Sequence, residues 1–166
     1  ALKKAYHEYR EILIQKIGIQ VPEQQFRYFK NNGWYTVYAG QKKINSQMVG
    51  NVLVKRLDDV NALALFNKVL SELKKWYLFN KRDSSIQVGI DGQISNWVLL
   101  SADGALNYVG SNDTLLYIDT STPLYRINGV EQLNSELFLK NIPWFLRAII
   151  RALFLQEVLD RYYDLR

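Results

Sequence analysis

Asp91-Gly-Gln-Ile-Ser-Asn96-Trp97-Val98-Leu99-Leu100, followed by Leu115-Leu116-Tyr117-Ile118-Asp119, decides how this chain is read. An aspartate is followed five residues later by an asparagine that opens an apolar run, and a second apolar run ends on another aspartate. Phosphoryl transfer asks for such a set: one carboxylate to orient and deprotonate a hydroxyl, and an amide oxygen and a second carboxylate to hold Mg²⁺ against phosphates. Hard oxygen ligands suit Mg²⁺, which takes one or two protein carboxylates and fills its shell with phosphate and water. The plainer alternative is that Asp-Gly is a turn and that Asp or Asn at a strand end is ordinary loop chemistry.

Working outward, Leu2, Ala5, Tyr9, Ile12, Leu13 and Ile17 recur at helical spacing over residues 1–17, with Gly18 as the stop. Residues 26–29 and 34–39 flank Asn31-Asn32-Gly33, where Asn-Gly signals a hairpin. Met48-Val49-Gly50 suggests a break. Asp58 or Asp59 can cap a long helix to about residue 80, with Leu63, Phe66, Val69, Leu70, Leu73 and Tyr77 as its expected buried face. Residues 86–90, 94–100, 105–109 and 114–118 read as short strands, with turns at Asp103-Gly104 and at residues 110–113. A last helix is expected over residues 141–163, capped by Asn141, with Pro143 in its first turn. Arg147 and Arg151 interrupt its apolar run. Three readings of it stay open: a buried helix, a peripheral helix on an anionic membrane over residues 142–163, and a groove for an anionic or lipid-like substrate.

In this order the chain resembles the protein-kinase-like phosphotransferase superfamily, in particular its aminoglycoside and choline phosphotransferase branch. There the catalytic loop reads H-G-D-x-x-x-x-N and the metal aspartate ends a strand as I-D. Gly18-Ile-Gln-Val21-Pro22 resembles the exit from the family's αC helix, and Glu8, fourteen residues before Pro22, falls where the αC glutamate lies, with Glu11 as second choice. Residues 34–41 resemble the strand leading to the interlobe hinge. The resemblance implies a kinase-like α+β fold in one structural unit: residues 1–57 as the αC-like helix, the remaining strands of a small sheet lobe and the hinge, and residues 58–166 as a mostly helical lobe with a β-hairpin active-site region. It further implies Asp91 as catalytic base, Asn96 and Asp119 as Mg²⁺ ligands, Glu8 as partner of a lysine, and main-chain groups of Ala39 and Gln41 on the adenine of ATP. The implied reaction is ATP-dependent phosphoryl transfer to an unidentified small-molecule hydroxyl.

The departures define the competing readings. Gly89-Ile90 stands where His or Arg normally precedes the catalytic Asp, and Thr120-Ser121 follows Asp119 in place of Phe-Gly. No Gly-rich phosphate loop or lysine-bearing strand precedes the αC-like segment, and the first residue is Ala, so the chain is expected to be part of a longer protein. A catalytically inactive, pseudokinase-like binding or scaffolding module is the alternative, and a membrane-associated interaction domain the third.

Composition sets the outer limits. With 48% apolar and 22% charged residues the chain reads as a folded globular protein, and 166 residues suit one domain. Having no cysteine, it has no disulfides or thiolate metal sites, and one histidine, His7, makes a zinc site a poor fit. A cytoplasmic setting is the expectation, since the N-terminus has no apolar signal region. The formal charge of +5 is compatible with a nucleotide phosphate, whereas no RNA-binding motif interleaves the aromatics, so no nucleic-acid partner is expected.

Overall fold

The computed structural model describes residues 2–82, 85–102, 104, 107–133, 143 and 156–164. It is a mixed helix-and-sheet, α+β protein in which every strand pair is antiparallel. Helix α1 (Leu2–Glu11) runs into a wider π-helical turn, Ile12–Ile17. Gly18 ends it by adopting the left-handed conformation (φ 84°) and returning its N–H to the Leu13 carbonyl, a geometry that costs glycine little. Ala5, Tyr9, Ile12, Leu13 and Ile17 are buried, as their spacing predicts.

Strands β1 (Gln24–Asn31) and β2 (Trp34–Gln41) form a hairpin. Both turn residues, Asn32 (φ 46°) and Gly33 (φ 82°), are left-handed, which makes the type I′ turn that Asn-Gly favours. Asn45 caps a 3₁₀ turn at Ser46–Met48 with its side-chain oxygen on the Gln47 N–H, and the short helix α2 (Gly50–Leu53) follows.

Helix α3 (Asp59–Arg82) starts where the Asp58 carboxylate accepts the Asn61 N–H at 2.8 Å. Its buried face matches the expected one at Val69 and Leu73 and departs from it elsewhere. Leu65, Val69 and Phe79 are buried, with Leu73 and Trp76 packed beside them, whereas Leu63 and Leu70 are 61% and 60% exposed and Phe66 is exposed too. The helix is apolar on two sides, so periodicity alone offers two stripes. What selects between them is strand β3 (Ile86–Val88): the Trp76 indole N–H and the Asn80 amide both donate to the Val88 carbonyl, and Asn80 Oδ1 accepts the Val88 N–H.

A 3₁₀ turn, Ile94–Asn96, replaces the start of the strand expected from residue 94, and β4 (Trp97–Leu100) pairs with β5 (Thr114–Tyr117). Residues 107–109 are not a strand; residues 105 and 106, the start of that expected strand, and Asp103 of the expected turn lie outside the described residues. A strand pair missing from the sequence reading, β6 (Tyr125–Ile127) and β7 (Val130–Glu131), turns at Asn128-Gly129, and β6 also pairs with β3. Helix α4 (Gln156–Arg161) falls within the expected last helix; the rest of that expectation, including Arg147 and Arg151, lies outside the described residues apart from the exposed Pro143.

Two apolar clusters result. The larger joins Tyr9, Leu13, Ile19, Leu53, Leu65, Val88 and the β4–β5 hairpin, with Trp97, Leu99 and Tyr117 fully buried. The smaller holds Leu124, Leu133 and Leu159 with Tyr162 and Tyr163 against them. Among the described residues no helix is long and apolar enough to cross a membrane.

Candidate functional site

The loop between β3 and β4 is fixed from every side by backbone bonds. Gly89 N–H donates to Leu124 O at 2.8 Å, and Ile90 N–H to Tyr162 O at 3.2 Å. Gly89 is packed so closely that a Cβ would lie 2.9 Å from that of Leu124 and 3.3 Å from that of Tyr162. That crowding leaves no room for a His or Arg side chain at position 89. Its carbonyl instead accepts the hydroxyl of Tyr9 at 2.9 Å, a residue of α1.

From this base hydrogen bonds link the segments that carry the three predicted residues. Asn96 Nδ2 donates to the Asp91 carbonyl at 3.2 Å, which ties the two ends of the loop and leaves Oδ1 as its acceptor. Ile118 N–H donates to Asn96 O at 2.9 Å, placing Asp119 beside that asparagine at the end of β5. Asp91 is oriented by its own loop, its two carboxylate oxygens accepting the main-chain and side-chain N–H groups of Gln93 at 3.1 and 3.2 Å. Burial pushes the Asp119 carboxyl above its ordinary range and the nearby charge of Asp91 adds to this, while a hydrogen bond from Ser121 at 3.2 Å opposes it. A half-buried carboxyl raised by desolvation and a like charge is the condition a bound cation would relieve.

Three tyrosines that the sequence reading passed over complete the setting. Tyr117 accepts the Asp91 N–H at 3.1 Å, and burial raises the phenols of Tyr117 and Tyr9 well above their usual range. Tyr6 donates to Ser121 O at 2.6 Å, just past Asp119. So α1 reaches the loop cluster through Tyr6 and Tyr9. Glu8 points elsewhere: it accepts the Tyr125 hydroxyl at 2.5 Å and pairs with Lys4 at 3.4 Å, and the first of these holds its carboxyl below the usual range. The resemblance implies a lysine partner for Glu8; in the structure its partners are Tyr125 and Lys4.

Thr120, buried, bonds through its hydroxyl to Gln24, whose amide also donates to Gln41 at 3.0 Å; the cluster is thereby linked to the base of the β1–β2 hairpin. In the hairpin register, Gln25 and Gly40 form a hydrogen-bonded pair, so the N–H and C=O of Ala39 and Gln41 point away from β1. Beyond β2 lies a cavity of about 490 Å³ with an apolar floor of Val21, Met48, Leu99 and Leu116, rimmed by Lys42 and Lys43. Residues 42–45, which follow β2, form one wall of it; Gly40 and Gln41 line a smaller neighbouring cleft instead, and Ala39 lines neither.

Among the described residues no group of three or more His, Asp or Glu side chains is placed to hold a metal. An amide oxygen and a carboxylate such as those of Asn96 and Asp119 are hard ligands, a chemistry that suits Mg²⁺ completed by phosphate and water rather than a metal held by protein alone. Fold and site thus define an α+β protein with an oxygen-rich loop cluster and an apolar cavity beside a hairpin. The chain belongs to a family of unknown function, DUF6206, whose family model matches residues 1–166. Neither a search of curated proteins nor one of solved structures found a match.

Proposed function

We propose that this chain carries the nucleotide and metal side of a kinase-like phosphotransferase acting on a small-molecule hydroxyl. The observation that supports it is the hydrogen-bonded linkage of Asp91, Asn96 and Ile118-Asp119 across an antiparallel strand pair. Mg²⁺ would be held by Asn96 Oδ1 and Asp119 and would supply charge neutralisation on the phosphates. Asp91, on the solvent side of its loop, accepts the acceptor's hydroxyl proton and aims the oxygen. The apolar cavity takes the base of ATP, with Lys42 and Lys43 at its rim. Glu8 is left out of this assignment because its carboxylate is already bound by Tyr125 and Lys4.

Isothermal titration with ATP, with and without Mg²⁺, tests the reading. Binding should require the metal and disappear in Asp119→Ala. Asp91→Ala should still bind Mg-ATP while transfer falls about 10²–10⁴-fold, the usual loss of a general base. No binding at millimolar ligand, or equal binding by parent and Asp119→Ala, rejects it. The second reading, a binding module without turnover, is favoured by one observation, the crowding of position 89 by the side chains of Leu124, Tyr162 and Tyr163. It predicts metal-dependent binding with no transfer to any acceptor.

A further inference from the structure

The tip of the β1–β2 hairpin does nothing in the proposed chemistry, yet it is the most apolar exposed surface of the described sheets. Tyr28, Phe29 and Tyr38 are 65%, 61% and 59% exposed, and Val37 is exposed beside them. The register divides them between both faces. Tyr28 lies across from Val37 on one, while Phe29 and Tyr38 meet edge to face at 5.7 Å on the other. Charge runs the same way. From Gln24 to Leu57 the chain has Arg27, Lys30, Lys42, Lys43, Lys55 and Arg56 and not one Asp or Glu, Glu23 being the last acid before β1. A large exposed apolar patch on a soluble domain marks an interaction site, and the absence of acids says its partner is anionic.

We infer that this hairpin docks the protein on an anionic lipid bilayer by inserting its tip into the headgroup region. Aromatic side chains favour the water–hydrocarbon boundary, where the ring is buried and a polar edge stays wet, and Arg and Lys add attraction to acidic headgroups. A two-sided aromatic ribbon suits immersion, which surrounds it. A single nucleic-acid strand would lie along one face and leave the other bare, and an added protein strand would use the backbone edge rather than the rings. Phe26, nearer the base, is already covered by Tyr6 (5.0 Å) and His7 (5.4 Å), so the wedge begins beyond it.

Co-sedimentation of the whole chain with phosphatidylcholine vesicles, with and without phosphatidylserine, decides the matter. Binding should need phosphatidylserine, weaken with added salt, and fall about fivefold for each of Arg27→Gln and Lys30→Gln, from roughly 1 kcal/mol per basic residue near an acidic surface. Phe29→Ser with Tyr38→Ser should remove most of it, and since both side chains are exposed the far-ultraviolet spectrum and melting temperature should hold; should that pair fail to fold, the two charge variants carry the test. No binding to either vesicle overturns the inference. So does full binding by all the variants, which would move the contact elsewhere on the chain, or displacement of vesicles by a single-stranded oligothymidylate, which would make the partner a nucleic acid.

Discussion

Asp119 shows how a single residue ties stability to function. Its carboxyl is raised by burial and by Asp91, so the folded state favours the protonated form. The stabilisation from that proton is fully present below the ordinary aspartate range, near about pH 4, and is lost as pH rises through the raised value. Asp119→Asn keeps the shape without the charge. Its melting temperature should exceed the parent's at pH 7 and match it in acid, as read by calorimetry across pH; a variant less stable at neutral pH contradicts this. Saturating Mg-ATP should reverse the neutral-pH order, because only the parent gains by binding. Gly50 makes the complementary case. A Cβ there would strike the main-chain carbonyl of Ile94, in the turn that carries Asn96, and a backbone atom cannot swing aside. Gly50→Ala should cost about 1–3 kcal/mol in urea unfolding and also weaken Mg-ATP binding.

At the level of elements, the side-chain clamp between α3 and β3 replaces a neighbouring strand. Asn80 gives Val88 both a donor and an acceptor; Asn80→Ala leaves the Val88 N–H without a partner while the carbonyl keeps Trp76, and should cost about 1–3 kcal/mol. Hydrogen exchange should show the loss concentrated over residues 86–90. The same clamp explains what could be read in the sequence and what could not. The β1–β2 hairpin and the start of α3 are local: Asn32-Gly33 and Asp58 carry their own geometry. The loop and strand boundaries at Asp91, Asn96 and Asp119 are also legible, because turn residues and apolar runs mark them; the roles proposed for the three side chains are a separate matter. The face of α3 is legible only in part: Val69 and Leu73 are inside as expected, but Leu63, Phe66 and Leu70 fit the helical period as well as Leu65 does, and the choice falls to Trp76 and Asn80 finding Val88. Tyr6, Tyr9 and Tyr117 left no mark either, for a tyrosine that braces a distant loop looks like any core aromatic. Asn128-Gly129 was a readable turn signal, and its strands are too short for alternation to announce them.

Across the whole molecule, the C-terminal end supports the candidate site. Leu159 packs with Leu124 and Leu133, and Arg126 bonds to Glu131 at 3.2 Å and Asp160 at 2.6 Å while stacking on Tyr163 at 4.0 Å. Leu159→Ala should therefore cost about 2–5 kcal/mol, and deleting residues 142–166 should abolish the cooperative unfolding transition in circular dichroism. A truncated chain that still melts as one unit would contradict this dependence. The bond from Ile90 to the Tyr162 carbonyl also sets an order of events during synthesis. Helices α1 and α3 can form as they leave the ribosome, each needing only near neighbours. The segment leading into Asp91 cannot close until its last partner, seventy-two positions later, has emerged. A nascent chain stopped short of Tyr162 should carry all three site oxygens and still lack the site.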